Sequence, residues 1–348
     1  MASISAENVL VVYRQFDSES EDAAFRYQEI HELSNDQLLE IPCSSIEILD
    51  SYADFKSEVE NHIVDALTSS SSPLINRSIY AIILMPKVPG GFIDDNDIIS
   101  STSRISRVLF PFDSEEKYIQ NPLYYRRVFK RFDEEDANVA FICTRIDSPL
   151  ASITNKWLDN IQLANDQLLV NGVFFFDAYS AYQGEEAQSY ESDLVSFRSN
   201  LLESLGLTVF DTTRVDPYRD ALISFVENDS FYWGWGADRG SLSFFRESAN
   251  IRGFFYNADF DGAETIRDID ANTWPLLSIR QGYISTAGSM SDPGIGNFLR
   301  PNPFYQTLFR GATIGEAMIF SQPRLNTPIA CFGDPLYKLS FPLFFYKV

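Results

Sequence analysis

The sequence has few of the residues that build disulfides, zinc sites and catalytic dyads. It contains three cysteines, Cys43, Cys143 and Cys331, and two histidines, His31 and His62. An odd number of cysteines without short spacing predicts neither a disulfide framework nor a zinc site. We therefore expect a reducing compartment, and we interpret Cys143 and Cys331 as small apolar residues inside strands.

Cations and long apolar runs are also scarce. The chain has 27 Lys and Arg against 49 Asp and Glu, a formal net charge of -22. This charge repels phosphate backbones and anionic lipids, so we expect protein partners, no nucleic acid and no membrane. No run of about 18 apolar residues indicates a membrane span, and the first residues lack the basic and apolar regions of a signal peptide. We expect a cytoplasmic protein or a component of an assembled particle.

Apolar and aromatic residues are plentiful. Hydrophobic residues make up 45% of the chain, with 29 Phe and 17 Tyr among its 348 residues. A chain longer than about 250 to 300 residues exceeds one ordinary core. We expect an N-terminal Rossmann-like half over residues 1–136 and a second half over 137–348, because the pattern becomes polar and irregular from 91 to 136.

The first half alternates strand and helix. Apolar runs predict strands at 8–13, 46–49 and 79–85, and amphipathic spacing predicts helices at 21–39 and 50–69. This order is typical of a parallel sheet with right-handed crossovers. The turn from Arg14 to Ser18 lacks the glycines of a nucleotide-binding loop, so no cofactor is predicted there.

The second half continues the alternation. Strands are predicted at 139–144, 172–176, 207–210, 230–235 and 276–284. Near the end, residues 304–309 are expected to form a short helix that Gly311 terminates, and Thr313 with Glu316 predicts a capping box for the next helix. Gly333 is expected at the end of a buried strand.

Several segments together resemble a known family. They are NVLVVY, IYAIILMPKVPGG, FICTRIDSP, YWGWGAD, and the helix with GEA followed by Gly-Asp-Pro-Leu-Tyr. The chain is similar to gingipain-type cysteine peptidases and to a bacterial family related to them. The resemblance implies an α/β, caspase-like (gingipain-like) three-layer sandwich with a mostly parallel sheet and two Rossmann-like halves side by side.

The family's catalytic residues are missing at the positions we match to them. In the family a His-Gly follows one central strand and a Cys follows the next. Here those positions hold Gly236-Ala237-Asp238 and Ser285-Thr286. One alternative is catalytic: a hydroxyl of Ser285 or Thr286 acts as the nucleophile with Asp238 as its base. The other is structural: these are small residues in a tight turn. An ordinary carboxylate is a poor base for serine, which favours the structural alternative.

One acidic loop suggests calcium. Asn257, Asp259, Asp261 and Asp268 follow the spacing of a calcium loop, with Gly262 at its sixth position. Glu264 stands where an apolar residue is usual, and Asp268 is shorter than the usual glutamate. The alternative, an acidic surface loop without metal, is favoured by these departures.

Two classes of function remain open. The first is a non-catalytic, caspase-like protein that acts as a structural or interaction subunit, by self-association or within a filament or virus particle. The second is a peptidase-like hydrolase built around Asp238 and Ser285. For the first class, the apolar residues 341–346 are a candidate contact surface; a strand packed within the same chain is the alternative.

Overall fold

A ten-stranded sheet forms the centre of the molecule. The computed structural model describes residues 4–109, 118–124, 140–167, 173–178, 184–197, 209–213, 229–235 and 251–339. In chain order the sheet strands are β1 (Val9–Arg14), β2 (Leu38–Ile41), β3 (Ala81–Leu84), β4 (Ile142–Arg145), β5 (Val173–Ala178), β6 (Val209–Thr213), β7 (Asp229–Trp235), β8 (Arg252–Ala258), β9 (Tyr283–Ser289) and β10 (Ile329–Gly333).

The strands form two groups that share one sheet. Their spatial order is β6-β5-β7-β8-β9-β10-β4-β3-β1-β2. Pairing is parallel within β4-β3-β1-β2 and within β6-β5-β7-β8-β9, whereas β10 pairs antiparallel with β9. A single bridge between Phe332 of β10 and Arg145 of β4 joins the groups. The last strand of the chain thus lies between the two halves.

Helices cover both faces of the sheet. In β1, Val9 and Val11 face one apolar cluster while Leu10 and Val12 face another, as strand alternation requires. The result is a three-layer α/β sandwich, which confirms the predicted fold class. The described helices are α1 (Ser18–His31), α2 (Tyr52–Phe55), α3 (Asn61–Thr68), α4 (Ser101–Ile105), α5 (Ala151–Gln167), α6 (Glu185–Phe197), α7 (Trp274–Arg280), α8 (Pro301–Leu308) and α9 (Ile314–Ser321).

Short elements complete the description. A π-helical turn, Lys56–Glu60, makes α2 and α3 continuous, in agreement with the helix expected over 50–69. A small three-stranded sheet contains Ile48–Leu49, Gly91–Asp94 and Asp97–Ser100, and Ile119–Gln120 pairs with Arg324–Leu325. None of the helices in the described ranges is long and apolar enough to cross a membrane.

Two expectations for the first half are wrong. The helix expected over 21–39 ends at His31, because Glu32 adopts a left-handed conformation with φ of 53° and the chain turns into β2. The strand expected at 46–49 lies outside the main sheet, where only Ile48–Leu49 pair, with the small sheet. The edge strand β2 does not alternate in polarity as strands usually do, so the sequence pattern extends the predicted helix into it.

The expected boundary between the halves, 136/137, lies outside the described residues. The strand that follows it, β4, pairs with β3 along Ala81 to Leu84. β4 therefore completes the first group of strands, and the second group begins with β5.

Candidate functional site

All three cysteines and both histidines lie in the described part of the chain. The structure therefore shows whether any thiol lies beside an imidazole. Cys43, Cys143 and Cys331 are buried and reduced. Burial raises the pKa of Cys43 and of Cys331 to about 12, and it raises that of Cys143 well above its usual value. Neither histidine hydrogen bonds to a thiol in the described structure. No cysteine therefore has the nearby imidazole that generates a thiolate at neutral pH.

His31 instead belongs to a buried cluster around Asp334. The His31 Nε2 atom lies 3.3 Å from Asp334 Oδ2, and the Tyr27 hydroxyl donates to Asp334 Oδ1 at 2.7 Å. Burial opposes ionisation of Asp334, but His31 and the hydrogen bonds from Leu336 N and Tyr27 outweigh it and hold the pKa of Asp334 below its usual value. The cluster fastens the end of α1 to the turn after β10.

The resemblance implies catalytic groups after the strands expected at 230–235 and 276–284, whereas the structure places the carboxyl end of β7 beside that of β8. These strands are adjacent, parallel and consecutive along the sheet. The residue after β8 is Asp259, 7% exposed, whose Oδ1 accepts from Phe260 N at 2.7 Å. The residue after β7 is Gly236. A carboxylate, rather than a thiol, thus follows β8; Asp238 lies outside the described residues.

Ser285 and Thr286 lie within β9 rather than after a strand. Both are fully buried, and the Ser285 hydroxyl donates to the Asp334 carbonyl at 3.2 Å. The strand expected over 276–284 is wrong because Thr273 and Pro275 begin α7 and Gly282, with φ of 93°, turns the chain into β9. Pro at the first helical turn was the sequence signal for this helix.

The four predicted calcium ligands occupy different environments. Asn257 and Asp259 are buried at the end of β8, whereas Asp261 and Asp268 are exposed. The Asp268 carboxylate accepts from Asp270 N at 2.9 Å. Among the residues described, no three His, Cys, Asp or Glu side chains converge as a metal site. Calcium binding by this loop stays a prediction.

A buried ion cluster joins the loops at the carboxyl ends of β2, β3 and β4. The Arg267 guanidinium donates to Asp147 Oδ2 at 2.7 Å, to the Ser45 carbonyl at 2.8 Å and to the Val88 carbonyl at 2.7 Å. One side chain from the loop after β8 therefore binds the three loops that follow β2, β3 and β4. Sequence reasoning missed Arg267, which stands in a charged segment without a strand-end signal.

Arg145 and Asp147 complete this cluster. Arg145, at the end of β4, pairs with Asp147 and lies 3.4 Å from Glu47 Oε1. A Cβ at Gly90 would clash with the Arg145 guanidinium, so the glycine permits the close approach. Burial opposes ionisation of Asp147, but Arg145 and Arg267 outweigh it and hold the pKa of Asp147 below its usual value. The Arg-Ile-Asp that follows the apolar run of β4 was the available sequence signal.

Comparison with known proteins identifies the fold but assigns no family. No family model matches the chain, and no curated protein sequence matches it. A solved structure described as "Structure of Protease" matches with a TM-score of 0.55 and 11% identity, covering 95% of this chain and 78% of that one. The Saccharomyces cerevisiae separase-securin complex matches at a TM-score of 0.35 and 9% identity, over 56% of this chain and 15% of that one.

The first match extends over nearly all of the present chain and includes both strand groups. The second is too distant in TM-score to support an argument. At 11% identity the likeness establishes the fold alone. The chain therefore has a protease-like, caspase-like α/β fold.

Proposed function

We propose that this chain is a non-catalytic protein of caspase-like fold that serves as a structural or interaction subunit, by self-association or within a larger assembly such as a filament or virus particle. The observation that carries the proposal is the placement of the three cysteines and two histidines. Each thiol is buried with a raised pKa, and His31 is held by Asp334. Kinship with gingipain-type peptidases is part of this proposal and rests on the sequence motifs.

The runner-up is a hydrolase around Asp238 and Ser285. Serine chemistry needs a hydroxyl within reach of a base and open to substrate. Ser285 is fully buried and its hydroxyl donates to a backbone carbonyl. These contacts support a structural role for Ser285.

Alkylation of the native protein tests whether any cysteine is activated, which is the cysteine-peptidase part of the non-catalytic proposal. Iodoacetamide at pH 7.5 should leave the intact mass unchanged, because buried thiols of raised pKa supply little thiolate. The same treatment in denaturant should add three adducts, which verifies that the thiols are reduced. Rapid addition of one adduct to the native protein would contradict the proposal.

Sedimentation tests the assembly half. With a net charge of -22, self-association should strengthen as salt screens repulsion. Removal of residues 342–348 should impair assembly if the apolar tail is the contact; that tail lies outside the described residues. A protein that stays monomeric at all salt concentrations would contradict self-association.

A further inference from the structure

Four exposed apolar side chains lie in loops that contain the ion cluster of Arg267 or are hydrogen bonded to those loops. They follow the carboxyl ends of β1, β2, β4 and β8, and water reaches much of each. Their exposed fractions are 91% for Phe16, 57% for Ile46, 48% for Leu150 and 38% for Ile269. We call these four residues the carboxyl-edge surface.

Hydrogen bonds hold the loops of this surface together. Arg14 Nε donates to the Cys43 carbonyl at 2.9 Å, which joins the loop of Phe16 to that of Ile46. Arg267, two residues before Ile269, binds the Ser45 carbonyl beside Ile46. It also binds Asp147, in the loop that leads to Leu150. The four side chains thus belong to one connected set of loops rather than to separate parts of the surface.

Phe16 departs furthest from what folding alone favours. Its φ is 57°, a left-handed conformation that costs a non-glycine residue energy. Its ring is almost wholly exposed, so burial of the ring within the chain does not offset this cost. Covering this exposed ring with another apolar surface would lower the free energy, because it would remove the ring from water.

The charges around the surface are predominantly acidic. Its cations are bound to carboxylates: Arg14 to Asp17 at 2.7 Å, Lys87 to Glu19 at 3.2 Å and Arg267 to Asp147 at 2.7 Å. Three exposed carboxylates, Asp50, Asp268 and Asp270, form no ion pair with a cation among the described residues. The apolar surface thus has an unbalanced acidic rim. Apolar side chains with Lys or Arg beside them would complement it.

We infer that the carboxyl-edge surface docks a segment of a partner protein that presents apolar side chains interspersed with Lys or Arg. The inference rests on the interaction role proposed above and names its surface. A second copy of this chain is the less suitable occupant, because each copy carries the same acidic rim and a net charge of -22.

A synthetic peptide tests the inference. The probe is a fluorescein-labelled octapeptide of alternating Leu and Lys, measured by fluorescence anisotropy against the full chain. We expect saturable binding that weakens with salt, and little binding of a Leu/Glu or a Ser/Lys peptide, because apolar contact and opposite charge are both required. The double variant Phe16→Ser, Ile46→Ser should weaken binding at least about tenfold.

A matched variant controls for general loss of apolar surface. Ile75 is 43% exposed but lies before β3, at the other end of that strand. Ile75→Ser should bind the Leu/Lys peptide like the native protein. Equal unfolding midpoints of the variants would verify that each is folded.

Three results would overturn the inference: no binding of the Leu/Lys peptide, equal binding of the Ser/Lys peptide, or unchanged binding by the double variant. A dimer in sedimentation that Phe16→Ser dissociates would assign the surface to a second copy instead. The alkylation experiment has an independent readout, so failure here leaves the non-catalytic assignment standing.

Discussion

Single buried charges hold this molecule's loops in place, and Asp147 is the most consequential of them. Its carboxylate lies between Arg145 and Arg267, with no exposed surface of its own. Arg145 lies two residues before Asp147, whereas Arg267 comes from the loop after β8. Loss of the carboxylate would leave Arg267 without its carboxylate partner and Arg145 with Glu47 alone, at 3.4 Å, in a buried site, which is costly.

Asp147→Asn should lower the free energy of unfolding by about 3 to 5 kcal/mol at pH 7. The pKa of Asp147 is depressed in the folded protein, so its contribution is fully present above the unfolded value of about 3.9 and is lost as the pH falls through the lower folded value. Denaturant titrations at pH 7 and pH 3 should therefore show a smaller difference between native and variant protein at pH 3.

The exposed pair of Arg26 with Asp159 supplies the control. Asp159→Asn should change the free energy of unfolding by less than about 1 kcal/mol at either pH, because water screens exposed pairs. An Asp147→Asn protein as stable as the native one would show that the ion cluster does not fasten the loops.

At the scale of elements, α9 shows how much local sequence can determine. Thr313 Oγ1 accepts from Glu316 N at 3.2 Å, and Glu316 Oε2 accepts from Thr313 N at 2.7 Å. The predicted capping box is confirmed. It fixes where α9 begins, between the turn at Gly311 and the last strand, β10.

Thr313→Ala should lower the free energy of unfolding by about 1 kcal/mol, because Glu316 N loses its side-chain acceptor. Thr313→Ser keeps the hydroxyl and should retain most of the stability. Thermal unfolding of both variants measures the difference. Equal losses in both would assign the effect to the missing methyl group rather than to the cap.

The calcium hypothesis concerns another element, the loop after β8. If Asn257, Asp259, Asp261 and Asp268 bind the ion, millimolar calcium should raise the melting temperature, because a ligand that binds only the folded state stabilises it. Asp259→Ala should abolish the rise, whereas Asp270→Ala, outside the predicted ligand set, should preserve it. An unchanged melting temperature in the native protein would refute calcium binding here.

Sequence patterns predicted elements better than strand boundaries or side-chain clusters. The strongly apolar runs of β1 and β3 and the capped helix α9 carry local signals, and all three were found. β9 was misplaced because a buried helix, α7, reads like a buried strand. The meeting of Arg267 with Asp147 depends on which loops share an edge, and no local pattern in either segment encodes it.

Across the whole molecule, the fold is protease-like, its three cysteines are buried, and His31 contacts a buried carboxylate. The last strand, β10, sits between the two strand groups, and the Asp334 cluster fastens its end to α1. His31 and Ser285, two residue types that peptidases use in catalysis, both contact Asp334. The function we propose is that the carboxyl edge of this fold serves for contact rather than for chemistry.

Incubation with a library of unstructured peptides, analysed by mass spectrometry, tests this account most directly. The account predicts no cleavage above that in enzyme-free samples at any pH from 5 to 9. It would be contradicted by cleavage that copurifies with the chain and disappears in a folded variant lacking one group, whether Cys43→Ala, Cys143→Ala, Cys331→Ala, Asp259→Ala or Ser285→Ala.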